Sequence, residues 1–203
     1  CLSSLNLEKY DEWKDDPNMI ADVMRFLDNV LSDFINKAPD QFKDAKYSAE
    51  RERSVGLGVM GFHSFLQKKR IPLESVMAKS WNKKIFKQID EQVNQASKDL
   101  AEERGACPDA SEYGYMERFS NKTAIAPTAS ISIICGGASP GVEPIAANSY
   151  THKTLSGSFN VRNRYLEEIL ESHGKNDDET WSTITTNQGS VSHLDFLTDL
   201  EKD

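Results

Sequence analysis

Cysteine is scarce in this chain. Cys1, Cys107 and Cys135 are the three in 203 residues, an odd number with no Cys-x-x-Cys pair and no Cys/His spacing suited to zinc. That excludes a disulfide framework and a zinc ribbon, and a reducing cytoplasm is the compartment expected. Basic residues are outnumbered, 24 Lys and Arg against 32 Asp and Glu, for a net charge of -8 and a pI near 5.1. A general nucleic-acid binder would carry a basic face, so no direct nucleic-acid contact is expected. No apolar run approaches the length of a membrane span, and no signal peptide opens the chain, so no membrane partner is expected either. Internal repeats and low-complexity tracts are missing. The four histidines show no paired ligand spacing, and no pair of carboxylates stands out as an acid and base.

What is present is a succession of helical periods and short apolar runs. Cys1 to Leu7 reads as a strand. Asp16 with Pro17 behind it reads as a helix start, and Ile20, Val23, Met24, Leu27, Val30, Leu31 and Phe34 follow at helical spacing, ending near Ala38-Pro39. Val55 to Met60 fits a strand or a helix start, with helix from about Gly61. Trp81, Ile85, Ile89, Val93, Ala96 and Leu100 form the stripe of a long helix from Ser75 to Arg104, stopped by Gly105. Residues 106–121 read as loop, Lys122 to Ala126 as a strand, Arg164 to His173 as a helix and Lys175 to Glu179 as a charged linker. Asp195 to Asp203 reads as a helix still under way, opened by Ser192. Helices alternating with short strands predict an α/β fold in one domain.

The most informative stretch is Ala126-Pro127-Thr128-Ala129-Ser130-Ile131-Ser132, followed by Gly136-Gly137 and Gly141-Val142-Glu143-Pro144. Proline ends an apolar run, and short hydroxyl-bearing residues follow. If Thr128 or Ser130 caps a helical turn, free N–H groups and the helix dipole converge on one spot, a phosphate cradle without a Walker lysine. On the pattern alone, a strand, a turn and a cap with no ligand is the favoured reading. Lys122 and Lys153 are read as solvated, and Glu143 as structural, because a carboxylate would repel a bound dianion.

This loop resembles the substrate-phosphate loop of the large (α) subunit of class I ribonucleotide reductases. Four further segments are similar to landmarks of that family and occur in its order: Cys1 to Leu7, Arg53 to Phe62, Glu103 to Pro108 and Asn148 to Phe159. The resemblance implies part of the ten-stranded α/β barrel of ribonucleotide reductases, with residues 1–203 a single fragment of the catalytic barrel domain. The N-terminal ATP cone, the first half of the barrel and the C-terminal tail of the family find no counterpart here. The missing initiator Met fits a piece of a longer protein, and a Cys at position one also fits an intein junction. The Asn-x-Cys-x-Glu pattern of the family's thiyl cysteine does not occur.

The implied activity is reduction of ribonucleoside diphosphates by thiyl-radical chemistry, with oxidation of a cysteine pair. Cys1 would be one cysteine of that pair, though a lone cysteine is otherwise most simply a small buried apolar residue. Cys107 and Cys135 match no catalytic position. Pro127, Thr128, Ala129, Ser130, Ile131 and Ser132 would hold the substrate diphosphate. No cofactor is implied in this chain itself. The implied partners are a ribonucleoside diphosphate, the remainder of the α subunit, a β subunit carrying a di-metal radical cofactor, and a thioredoxin-like protein or dithiol as reductant. Three alternatives are an adenosylcobalamin-dependent class II fragment, a non-catalytic phosphate-binding α/β module, and one half of a split enzyme working in trans through an exposed apolar face.

Overall fold

Two parallel strands form the spine. The computed structural model describes residues 1–154 and 157–203, and the side chains of residues 152–154 also lie outside what is described. Strand β1 (Leu2–Asn6) pairs in parallel with β2 (Gly56–Met60), from Leu2 against Gly56 to Asn6 against Met60. All five residues of β2 are buried, as a parallel strand covered on both faces requires. Its two glycines admit a third segment. A Cβ at Gly58 would lie 2.1 Å from the Ala124 carbonyl oxygen, and one at Gly56 would lie 2.8 Å from the Ala124 Cβ. Val55 and Leu57 donate to the Asn121 and Lys122 carbonyls at 3.0 and 2.9 Å, and Ala124 donates back to Leu57 at 3.2 Å. The strand expected over Lys122 to Ala126 is reduced to a bridge between Leu57 and Thr123. Pairing stops at Ala124, because Pro127 has no N–H to continue it and Thr128 turns the chain away.

Helices α1 (Tyr10–Trp13), α2 (Met19–Lys37) and α3 (Lys43–Glu52) connect the two strands. Asn18, not Asp16, occupies the cap position of α2, and the Asp16 carboxylate accepts the Asn18 N–H at 2.9 Å, making a turn ahead of the helix. No residue of α3 is buried, so no apolar period marks it in the sequence. Helix α4 (Phe62–Lys68) follows β2, and α5 (Val76–Arg104) opens at Ser75, whose hydroxyl accepts the Ala78 N–H at 3.1 Å. Ile85, Ile89, Val93, Ala96 and Leu100 of α5 are buried together with Ile20, Met24, Leu27, Leu31 and Ile35 of α2 in one core. A short α6 (Pro108–Glu112), with proline at its first turn, lies within the region expected to be loop.

The second half holds α7 (Ile131–Ile134), a hairpin of β3 (Ser149–Thr154) and β4 (Gly157–Arg162), and α8 (Arg164–Ser172), α9 (Asp178–Thr186) and α10 (Asp199–Lys202). Leu166, Leu170, Trp181, Ile184, Val191, Leu194 and Leu197 form a second, smaller core. The charged stretch expected as a linker starts α9 instead, because Asp177 accepts the Thr180 N–H at 2.8 Å. The last helix opens at Thr198 rather than Ser192, with a reciprocal capping box between Thr198 and Glu201. The hairpin covers part of the segment Asn148 to Phe159, of which Leu155 and Ser156 lie outside the described residues. Among the described residues no helix is long and apolar enough to cross a membrane.

One polar cluster ties the first half together. Asp28, fully buried on α2, receives Arg53 Nη2 at 2.6 Å, Arg104 Nη1 at 2.9 Å and Arg118 Nε at 2.9 Å. Burial alone would raise its carboxyl pKa. Hydrogen bonds from Arg118, Arg53 and Arg104 outweigh that and hold it below the ordinary carboxylate value. Arg53 closes α3 in the left-handed region, φ 45°. Arg118 also donates to the carbonyls of Arg104 and Gly105 at 3.1 and 2.9 Å.

Candidate functional site: the loop from Pro127 to Gly141

The loop sits at the carboxyl ends of both strands. Asn6, the last residue of β1, donates to the Cys135 carbonyl at 3.4 Å, and the N–H of Gly61, just past β2, donates to the Ser139 carbonyl at 2.7 Å. In α/β folds ligands bind at this end of the strands.

Its neck is closed by Thr128, which is buried with φ 52°, and whose Oγ1 accepts the Gly141 N–H at 2.7 Å. From there the chain makes the single turn of α7. The Ser132 N–H donates to Thr128 O at 3.0 Å and the Cys135 N–H to Ile131 O at 2.8 Å. Ser132 is buried, and its hydroxyl donates back to Ala129 O at 3.3 Å. Ser130 stands at the cap position but makes no side-chain cap bond. Gly136 and Gly137, at φ 92° and 74°, end the turn where a side chain would be strained.

The loop's far side is locked to α4. Ser64 and Ser139, both buried, exchange bonds: the Ser64 N–H donates to Ser139 Oγ at 3.2 Å and the Ser139 N–H to Ser64 Oγ at 2.8 Å. Gly61 at the α4 cap has no side chain of its own to satisfy the helix start, so Ser139 does it from across the chain.

Five backbone donors are left over. Among the described residues, the N–H groups of Thr128, Ala129, Ser130, Ile131 and Ile133 make no hydrogen bond, and of these residues Ala129, Ser130 and Ile131 are consecutive and exposed. Donors aligned at the start of a helical turn form an anion-binding arrangement. Of the six residues expected to bind a diphosphate, Ala129, Ser130 and Ile131 therefore present open amides. Thr128 and Ser132 spend their side chains shaping the loop, and Pro127 leads into it.

Cys1 is not beside this loop. It is exposed and unpaired at the amino end of β1, where its carbonyl accepts the Gly56 N–H at 2.8 Å. The strand's five residues separate it from the loop end by about 16 Å, at ~3.3 Å per residue. Cys107 is buried and Cys135 exposed, both as free thiols. Lys122 is committed to Glu117 at 3.1 Å rather than solvated, and the Lys153 side chain lies outside the described residues. Glu143 is exposed.

The histidines are individually satisfied where described. His63 Nδ1 accepts the Ile145 N–H at 3.3 Å, and burial pushes its pKa down. His173 meets Glu201 at 3.0 Å, and His193 meets Thr183 at 3.0 Å. Among the described residues no three His, Cys, Asp or Glu side chains group to hold a metal ion.

Sequence reasoning missed Asn6, Ser64, Ser139 and Arg164, all of which hold the loop. Arg164 Nη1 donates to the Gly136 carbonyl at 3.0 Å, and its Nη2 donates to the buried carboxylate of Glu8. The Tyr165 hydroxyl donates to the same Glu8 oxygen at 2.7 Å. Burial, reinforced by Glu8, pushes the Tyr165 pKa up, so it remains a donor at neutral pH. These contacts join residues 28 to 157 positions apart, and no local pattern announces them.

Comparison with known proteins agrees with this geometry. The family described as "Ribonucleotide reductase, barrel domain" matches residues 1–117 and 109–203. The chain belongs to the ribonucleotide reductase barrel-domain family. Its parallel strand pair, with the Thr123 bridge beside it, is accordingly part of that α/β barrel. Among ribonucleotide reductases, the large subunit of ribonucleoside-diphosphate reductase from Invertebrate iridescent virus 6 is 49% identical over all of this chain and 21% of its own length. The corresponding subunit of Invertebrate iridescent virus 3 is 45% identical, over all of this chain and 32% of its own. A solved structure, the Actinobacillus ureae class Id ribonucleotide reductase alpha subunit, superposes with a TM-score of 0.89 at 40% identity, covering all of this chain and 37% of that one. The chain thus spans about a fifth to a third of the length of these two viral subunits.

Proposed function

We propose that this chain is the part of a ribonucleoside-diphosphate reductase large subunit that holds the substrate's diphosphate and contributes one redox thiol. The observation that carries the reading is the set of open amides at Ala129, Ser130 and Ile131 at the carboxyl end of a parallel strand pair. Pro127 to Ser132 form the cradle. The amides and the Ser130 hydroxyl donate to phosphate oxygens, and Thr128 and Ser132 keep the turn in shape.

The reaction removes the ribose 2′-hydroxyl as water. Two thiols supply two electrons and two hydrogens and close to a disulfide. Cys1 is one of the two in this reading. The other thiol and the thiyl radical come from the remainder of the α subunit and from a partner β subunit with a di-metal radical cofactor. A thioredoxin-like protein or dithiol re-reduces the disulfide at an exposed Cys1.

ADP titrated into the chain, followed by calorimetry and amide NMR, tests the cradle. Binding should shift the amides of residues 129–131, and inorganic diphosphate should compete. Ser130 has φ -88° and its N–H serves no internal bond, so Ser130→Pro deletes one donor and should weaken ADP about tenfold, the effect of one charge-assisted bond. In the assembled subunit Cys1→Ser should abolish turnover while ADP still binds. ADP that binds without moving these amides would sink the reading. A vitamin B12-dependent ribonucleoside-diphosphate reductase from Thermoplasma acidophilum, 39% identical over 77% of this chain, favours a cobalamin-dependent enzyme as second reading. Turnover that needs added adenosylcobalamin would select it.

A further inference from the structure

We propose that Asn6, Glu8 and Arg164 form a two-point clamp that orients the phosphate-holding turn, which makes Arg164 a positioning residue rather than a phosphate ligand. The inference rests on the reading of the loop given above. Both points of the clamp act on the carboxyl end of α7, opposite the open amides. Asn6 Nδ2 takes the Cys135 carbonyl, and Arg164 Nη1 takes the next one, Gly136, at 3.0 Å. Two consecutive carbonyls held from two different elements fix both the tilt and the rotation of a single helical turn. With one held, the turn could pivot about it.

Each half of the clamp is itself fastened. The Asn6 side chain is oriented by accepting the Glu8 N–H at 3.0 Å through Oδ1. Arg164 is held by Glu8, which is 8% exposed and is fixed in turn by the Tyr165 hydroxyl. The two halves therefore meet within three residues at the end of β1.

A second observation points the same way. Arg164 is the first residue of α8, where a cation opposes the positive end of the helix. The local preference is for an acidic residue, so the arginine serves something outside its own helix, and its partners are Glu8 and Gly136. Because its guanidinium is already divided between a carboxylate and a carbonyl, it is not free to turn both forks to a phosphate.

The experiment compares the 203-residue chain with Glu8→Gln, Arg164→Met and Arg164→Lys, reading ADP affinity and amide NMR of residues 128–139. Glu8→Gln separates the two roles of Arg164. If Arg164 positions the turn, loosening it weakens ADP several-fold. If Arg164 binds phosphate, releasing it from a carboxylate strengthens ADP. Arg164→Met should weaken ADP about tenfold, with partial rescue by Arg164→Lys. In the free protein both Glu8→Gln and Arg164→Met should shift and speed exchange of the Ser132, Cys135 and Gly137 amides, leaving those around Asp28 unmoved. Tighter ADP in Glu8→Gln, or loop amides that do not respond, overturns the clamp. If the loop amides respond but wild-type chain does not bind ADP, the clamp stands and the diphosphate reading falls.

Discussion

The Asp28 cluster and the loop from Pro127 to Gly141 are both polar and both hold buried polar side chains, yet they are opposite in kind. At Asp28 every strong group is matched: one carboxylate, three guanidinium groups and the carbonyls of Arg104 and Gly105. Nothing is left over to hold a ligand. In the loop Thr128 and Ser132 bond to the loop's own backbone, at Gly141 and Ala129, and the consecutive amides of Ala129, Ser130 and Ile131 remain open. Formal charge holds the Asp28 cluster together, whereas the loop's open donors are uncharged backbone. On the function proposed above, uncharged donors suit a ligand that has to be released, since a buried arginine would hold a diphosphate at greater desolvation cost.

The largest effect expected from breaking this contrast is at Asp28. Asp28→Asn keeps the volume but leaves three arginines facing a neutral amide, and should cost about 3–5 kcal/mol in urea unfolding. Because the folded carboxyl lies below its ordinary value, its contribution is complete above the unfolded pKa of about 3.9 and is lost as pH falls through the folded value. The gap between wild type and Asp28→Asn should therefore be constant from pH 7 to 5 and close below about pH 4. A gap that stays open in acid would mean that packing, not charge, holds the cluster.

Gly58 lies between the two regions, and its replacement should do less. A Cβ there would sit 2.1 Å from the Ala124 carbonyl, backbone that cannot move aside without leaving β2. Gly58→Ala should cost about 1–3 kcal/mol and break the Leu57–Thr123 bridge. Exchange of the Ala124 amide should speed more than exchange within α5. Wild-type stability in this variant would show that the loop's approach strand is not held by close contact.

Much of the fold was legible because it is periodic. The α5 stripe, its Ser75 start and its Gly105 stop emerge where the spacing puts them, since burial of one helix face and a free cap leave a local trace. Helix α3 left none, because it buries nothing. The hairpin of residues 149–162 was missed for a related reason: β4 is almost wholly exposed and so shows no alternation. Lys122 to Ala126 was over-read, because its apolar content reflects packing against Gly56 and Gly58 rather than an extended ladder. For the site, a turn after Pro127 could be read from the small residues that follow it. The distribution of roles could not. That Thr128 faces Gly141, and that Ser139 caps a helix 75 positions earlier, depends on contacts that only the folded chain makes.

The smallest effect expected is at the loop's neck. Thr128 holds a left-handed backbone conformation that costs a β-branched residue roughly 1–2 kcal/mol, and its return is one neutral hydrogen bond to the Gly141 N–H at 2.7 Å. Thr128→Ala keeps the strain and leaves that buried N–H unmatched, so it should lose about 1–2 kcal/mol. Thr128→Ser keeps the oxygen and should stay close to wild type. Urea unfolding and the Gly141 amide shift read both variants. If alanine and serine behave alike, the hydroxyl does not close the neck, and the loop's shape must come from the Ser64–Ser139 exchange and the carbonyl contacts at Cys135 and Gly136. If only alanine loosens it, a single neutral bond sets the geometry of the open amides. The contrast with Asp28 would then be quantitative: a charged hub for stability, and a weaker, uncharged latch at the neck of the loop.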